Sequence, residues 1–183
     1  GMTGKQPEDY PDFVHGLNGL ADIEVTVADK SAEDQDACTF LLESSNANPG
    51  EITIIAIGRM TNIAMALNKD PTFANRVKEI IFMGGAATCE GNVNTWAEAN
   101  IIGDPEAASI VFNSNIPLVM VGLDVTLQTR MSQAFVNSLM PDLSPLQSLL
   151  LSINSVYASF YKTNQNWDEF PVHDSSAIAY AHN

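Results

Sequence analysis

The sequence predicts an α/β fold, an open and mostly parallel sheet with helices on both faces, and three observations carry that prediction. Three short runs of apolar and β-branched residues, 52–57, 79–83 and 116–121, each stop on glycine, at Gly58, Gly84 and Gly122. Runs of this kind suit strands covered on both faces. Segments with apolar residues at three- and four-residue steps lie between them, and such alternation calls for a parallel sheet with right-handed crossovers. The stretch from Glu79 to Ala108 is the pivot. Its strand breaks on Gly84-Gly85, crosses a polar loop holding Asn92, Asn94, Glu98 and Asn100, and restarts as a helix at Asp104-Pro105-Glu106. Open α/β sheets keep their ligand sites at strand carboxyl ends, and these side chains can hydrogen-bond a polyhydroxylated ligand. Asn and Gly are equally ordinary turn residues.

The elements follow in order. Residues 1–13 are polar, contain proline and lack periodicity, so they read as a flexible leader to a single α/β domain spanning 1–183. In 14–20 two glycines frame His15 and Asn18, the grammar of a loop; 21–30 carry no readable pattern. Ser31 and Asp34 offer an N-cap for a helix bearing Ala37, Phe40 and Leu41, which stops before Asn48-Pro49-Gly50. After the first strand, Thr61-Asn62 opens a helix with Ile63, Ala66 and Leu67 on one side, and Pro71 opens another. Asp104-Pro105 caps a helix whose buried face is Ala107, Ala108, Val111 and Phe112. Leu123-Asp124-Val125-Thr126 leaves the third strand, and a helix is predicted over 132–139. Ser144-Pro145 starts the longest helix, with Leu146, Leu149, Leu150, Ile153, Val156, Tyr157, Phe160 and Tyr161 on its apolar side. Tyr157 reads as core, whereas Tyr161 stands where the helix gives way to polar residues. Val172-His173-Asp174 precedes a short apolar helix over 177–181, capped by Asp174 or Ser175.

Charge narrows the function. Twenty-two acidic residues against 8 basic give a net charge of −14, which excludes a nucleic-acid partner, since phosphate neutralisation needs clustered Lys and Arg. No apolar run approaches the ~20 residues of a membrane span. Cys38 and Cys89 follow no metal-ligand spacing and read as free thiols in a reducing, cytoplasmic setting.

Several pieces, taken together and in this order, resemble the inosine-uridine preferring nucleoside hydrolase family: IIAIGRMTNIAMA at 54–66, VKEIIFMGG at 77–85, Gly91-Asn92 with Ala97-Glu98-Ala99-Asn100, Asp104-Pro105-Glu106-Ala107-Ala108, VGLDVT at 121–126 and Val172-His173-Asp174. The resemblance implies an enzyme, a ribonucleoside N-ribohydrolase in which a calcium-bound water attacks the anomeric carbon and releases ribose and free base. It implies that Asn92, Glu98 and Asn100 grip the ribose hydroxyls and that His173 serves the leaving base as proton donor or contact. It implies Asp174 and the main-chain carbonyl of Ile57 as calcium ligands, with His15 near the 5′ side of the sugar and Tyr161 near the base. Its partners would be a small ribonucleoside and, as a homo-oligomer, further copies of the chain.

The departures shape the expectation as well. The family's opening strand, with its Asp-x-Asp-x-Gly-x-Asp-Asp cluster, is not in this sequence, and that cluster supplies the general base and most calcium ligands. Ala99 stands where an aromatic is usual, Trp96 where a proline or small residue is common, and Asp174-Ser175 where Asp-Pro is common. The expectation is therefore a chain that keeps the sugar grip, has an incomplete calcium site and is inactive alone. The alternative is a non-catalytic ribose-binding, nucleoside-binding or assembly module of the same fold.

Overall fold

A computed structural model describes residues 12–25, 32–139 and 144–182. These separate into two compact units. The first comprises 32–128 and 173–182, and the second 12–25, 129–139 and 144–172. The expectation of a flexible leader lies outside the described residues for 1–11; Asp12 and Phe13 open a one-turn helix, α1 (Asp12–His15). His15 is thus helical, where the glycines around it had suggested loop.

The first unit is built on three parallel strands in the order β1 (Ile52–Ala56), β2 (Val77–Met83), β3 (Leu118–Val121). Ile54 stands beside Ile80 and Ala56 beside Phe82; Ile81 faces Val119 and Met83 faces Val121. Side chains alternate across a strand, so the apolar run of β2 feeds two cores at once. Ile80 and Phe82 join α2 (Ala37–Ala47), α3 (Thr61–Lys69) and α5 (Pro105–Phe112) through Cys38, Ile63, Ala66, Leu67, Ala107, Ala108 and Val111. Ile81 and Met83 point the other way, to Leu123 of α6 (Leu123–Thr126) and Ala177 of α9 (Asp174–His182). The sheet is parallel with helices on both faces, as the sequence predicts.

Local chemistry fixes the helix starts. The Asp36 side chain caps α2 by accepting from Thr39 N, in place of the predicted arrangement of Ser31 followed by Asp34; Ser31 lies outside the described residues. Asp36 wins because its side chain sits three residues before that N–H, the reach of an N-cap. Pro71–Asn75 forms a 3₁₀ turn capped by Asp70. Buried Asp104 caps α5 through Ala107 N and receives the Thr61 hydroxyl at 2.6 Å, which ties α5 to α3. Phe112, expected in the buried face of α5, is 45% exposed, because the helix ends there. The polar loop after β2 ends earlier than predicted: Glu98 caps an added turn, α4 (Ala99–Ile102), before α5 begins.

The second unit rests on α8 (Pro145–Gln165), opened by a capping box between Ser144 and Gln147 and closed by Asn166 in the left-handed conformation. Beside it lie α1, α7 (Gln133–Ser138) and a two-stranded antiparallel ribbon, β4 (Arg130–Ser132) with β5 (Glu169–Pro171). Neither three-residue strand is apparent in the sequence, being too short to show a period. The predicted apolar stripe of α8 is only partly covered, with Leu146 and Val156 exposed.

Candidate functional site

The exit of β2 gathers three of the predicted residues. Gly85 turns the chain with φ +81, a conformation that favours glycine, and a Cβ on Gly84 would stand 3.2 Å from the Glu98 carboxylate. That closeness lets Glu98, only 3% exposed, accept three backbone N–H bonds. Oε2 takes Gly85 N at 2.9 Å and Ile101 N at 3.1 Å, and Oε1 takes Asn100 N at 3.0 Å. Asn100 directs Nδ2 to the Met83 carbonyl at 3.1 Å. The Asn92 Oδ1 accepts Ala99 N at 3.0 Å. The bonds made by Asn92, Glu98 and Asn100 thus run into one short stretch of backbone, 83–101.

The valence left over is chemically specific. A carboxylate has about four acceptor positions and a primary amide two donors and two acceptors. Glu98 Oε1 and Asn100 Oδ1 therefore keep acceptor capacity, and Asn92 Nδ2 keeps its donors. Carboxylate and amide acceptors with amide donors are able to bond sugar hydroxyls, each of which both donates and accepts.

The loop has its own frame. Gly91 N donates to Thr95 O and Val93 N to Ala97 O, while Asn94 Oδ1 accepts Trp96 N at 2.9 Å. A Cβ on Gly91 would fall 2.2 Å from Ala97 O, so only glycine fits there. Asn94 is therefore the turn residue of the group. Trp96 projects from the same loop, 90% exposed, beside a shallow cleft of about 410 Å³ lined by Ile101, Pro105, Phe112 and Met120. The lining is mostly apolar, but Glu98 and Gly85 also border the cleft.

The exit of β3 holds a second cluster. Leu123 N donates to Gly85 O at 2.9 Å, and Asp124 accepts Ala87 N at 2.8 Å, Thr88 N at 2.6 Å and the Thr88 hydroxyl. Those donors hold the Asp124 carboxyl well below the usual carboxylate range. The fully buried Thr126 lies 2.7 Å through Oγ1 from His173 Nδ1. Burial pushes the His173 pKa down to about 4, because imidazolium is the form that loses hydration. Asp174 follows as the first residue of α9, and Ile57 lies one residue beyond β1, 44% exposed. Among the described residues no three His, Cys, Asp or Glu side chains gather as a metal would require. No helix among them is long and apolar enough to cross a membrane.

His15 and Tyr161 belong to the second unit. Tyr157 lies between them: its ring stacks with His15 at 6.0 Å, meets Tyr161 edge-on at 5.1 Å and meets Phe170 edge-on at 5.7 Å. Tyr161 also stacks with Trp167 at 5.7 Å, and the Arg130 guanidinium sits 3.8 Å from the Trp167 ring centroid. Burial raises the Tyr161 pKa.

Thr126 and Asp124 are the residues that sequence reasoning left without a role. Each partners a group far along the chain, 47 residues away for His173 and 36 or 37 for Thr88 and Ala87. No local pattern marks such a pair. The only signal was their place in the run 121–126 at a strand end.

Comparison with known proteins identifies relatives of the chain as a whole. The profile of the inosine-uridine preferring nucleoside hydrolases covers residues 2–183. Uridine nucleosidase 1 of Arabidopsis thaliana is 46% identical over 121 residues, 66% of this chain and 36% of its own length. A plant nucleoside hydrolase, the PpNRh1 enzyme, superposes with a TM-score of 0.92 at 38% identity, covering 97% of this chain and 56% of its own. The purine-preferring ribonucleoside hydrolase from Gardnerella vaginalis does so with a TM-score of 0.92 at 37% identity, covering 98% and 58%. The chain spans only about a third to a half of four plant uridine nucleosidases that it matches, 36% to 52% of their length. With the profile matched along nearly all of the sequence and the same fold in both solved relatives, the chain belongs to the inosine-uridine preferring nucleoside hydrolase family.

Proposed function

We propose that this chain is the sugar-holding part of a ribonucleoside N-ribohydrolase, which uses water to split the N-glycosidic bond into ribose and a free base. One observation carries the reading beyond family membership: Asn92, Glu98 and Asn100 are fixed by backbone bonds and keep two acceptors and a donor, a set able to bond a vicinal diol. A carboxylate held beside the sugar also favours the positive charge that develops as the glycosidic bond breaks. At neutral pH His173, with its pKa near 4, is an uncharged imidazole. Its role is then to offer the departing base a hydrogen bond, with the ring set by the Thr126 hydroxyl. The roles of His15 and Tyr161 rest on the family resemblance alone. The names of the relatives point both to uridine and to purines, so the base is left open.

The family is metal-dependent, and calcium is the ion the resemblance suggests. Calcium takes about six to eight oxygen ligands. Asp174 and the Ile57 carbonyl do not make up that number, and no acidic cluster joins them among the described residues. These residues do not fit a complete calcium site. We place water activation outside them, since the sequence has no Asp-x-Asp-x-Gly-x-Asp-Asp run and Asp124 is already committed to three donors.

The test is a pair of measurements on the 183-residue chain. Reducing-sugar release from inosine and uridine should stay at background; turnover would show that a carboxylate present here activates water. Calorimetric titration should detect uridine in preference to 2′-deoxyuridine, and Asn92→Ala should erase the difference. Equal binding of both nucleosides would remove the diol reading.

A further inference from the structure

Asp124 is a carboxylate of the first unit that accepts three donors and that the sugar grip leaves unused. It sits at the second position of α6, a half-buried side chain reaching across to the loop that leaves β2. Three donors meet it there, the backbone N–H groups of Ala87 and Thr88 and the Thr88 hydroxyl, and the Gly85 carbonyl is held from the same helix by Leu123 N. The segment 85–88 is therefore pinned from α6, while Glu98 pins Gly85 N from the other side. Four residues further on comes Asn92, whose side chain is fixed at its far end by Ala99 N.

We propose that Asp124 is a positioning residue for the sugar-binding loop: by clamping Ala87 and Thr88 it fixes the path of the chain into Asn92, and so holds the Asn92 amide in register with Glu98 and Asn100. The proposal rests on the sugar-site reading above for its consequence, and on geometry alone for its mechanism. Charge-assisted bonds of this kind are stronger than neutral ones, which suits a clamp at the root of a loop. The geometry also argues against Asp124 as a base. A carboxylate occupied by three donors binds a proton poorly.

The Ala99 amide bonds to Asn92 and not to Asp124, so it reports whether the clamp acts beyond its own partners. Amide hydrogen exchange on the wild-type chain, Asp124→Asn and Thr88→Val should show faster exchange at Ala87 and Thr88 in Asp124→Asn, and also at Ala99. Thr88→Val, which loses only the hydroxyl bond, should speed Ala99 less. Calorimetry on the same proteins should show uridine binding weakened about tenfold by Asp124→Asn, the effect of losing about one hydrogen bond's worth of positioning. Asp124→Glu, which keeps the charge, should recover part of it.

Unchanged Ala99 exchange in a folded Asp124→Asn chain overturns the proposal, because the clamp would then be local. If Asp124→Asn does not fold, Thr88→Val decides the matter by the same readout. A wild-type chain that binds no uridine would instead defeat the sugar-site reading, and the Ala99 result would still judge the clamp.

Discussion

At the carboxyl end of β2, Glu98 is held by three backbone N–H groups, whereas in the second unit Tyr161 is held by rings, stacked on Trp167 and edge-on to Tyr157. Hydrogen bonds to backbone are directional and strand their partners when one side is removed. Ring contacts are broad, worth about 0.5–1.5 kcal/mol each beyond buried area, and tolerate repacking. The difference teaches that the polar candidates of the first unit are inseparable from its architecture. The aromatic candidates of the second can be altered with less damage. A substitution at Glu98 therefore tests folding and sugar binding together, and Asn92, exposed and bonded once, is the better probe of the sugar alone.

The sharpest way to break this contrast is Glu98→Ala. It removes the α4 cap and leaves the N–H groups of Gly85, Asn100 and Ile101 without their acceptor, which should cost roughly 3 kcal/mol in urea denaturation. A loss below about 1 kcal/mol would mean that water replaces the carboxylate easily and that the site is not pre-set by it. Trp167→Ala comes next. It takes away the Tyr161 stack and the Arg130 cation–π contact, for a loss of about 2 kcal/mol. If near-ultraviolet circular dichroism showed the Tyr157–Tyr161 environment unchanged in that variant, Trp167 would be shown not to order the cluster.

Acid titration gives a smaller, signed effect. The Asp124 carboxyl is depressed by its donors, so its contribution is fully present above the ordinary carboxylate pKa of about 4. It is lost as pH falls below that value, when the folded state must take up the proton that the unfolded state already holds. Asp124→Asn should flatten this acid limb, and an unchanged limb would assign it to other carboxylates. The smallest effect belongs to Tyr161→Phe, which removes the 3.3 Å hydroxyl contact with Tyr157 and keeps the ring contacts with Tyr157, Phe160 and Trp167, for under about 1 kcal/mol. A larger loss would mean that the hydroxyl, and not the ring, fixes this part of the second unit.

Much of the fold was legible because its signals are local. Buried parallel strands announce themselves as apolar runs, and Asp104-Pro105 and Ser144-Pro145 announce helix starts whose caps form as read. The first cap failed because several acidic and hydroxyl residues compete within 31–36, and only backbone geometry chooses Asp36. The ribbon β4–β5 was not legible, since its strands are three residues long and pair across the whole of α8.

For the site, the sequence by itself determined which residue types stand at the strand ends: Asn92, Glu98 and Asn100 after β2, Asp124 and Thr126 after β3, and His173 before α9. It could do so because the strand period places the ends of a parallel sheet, and family order labels the residues found there. Only the tertiary structure decided how each is used. Glu98 is a buried cap and Asn94 a turn residue, Thr126 meets His173, and Asp124 is spent on the loop of β2. The last two outcomes depend on hydrogen bonds between groups 37 and 47 residues apart in the chain, whose partners are chosen by packing and leave no period in the sequence to read.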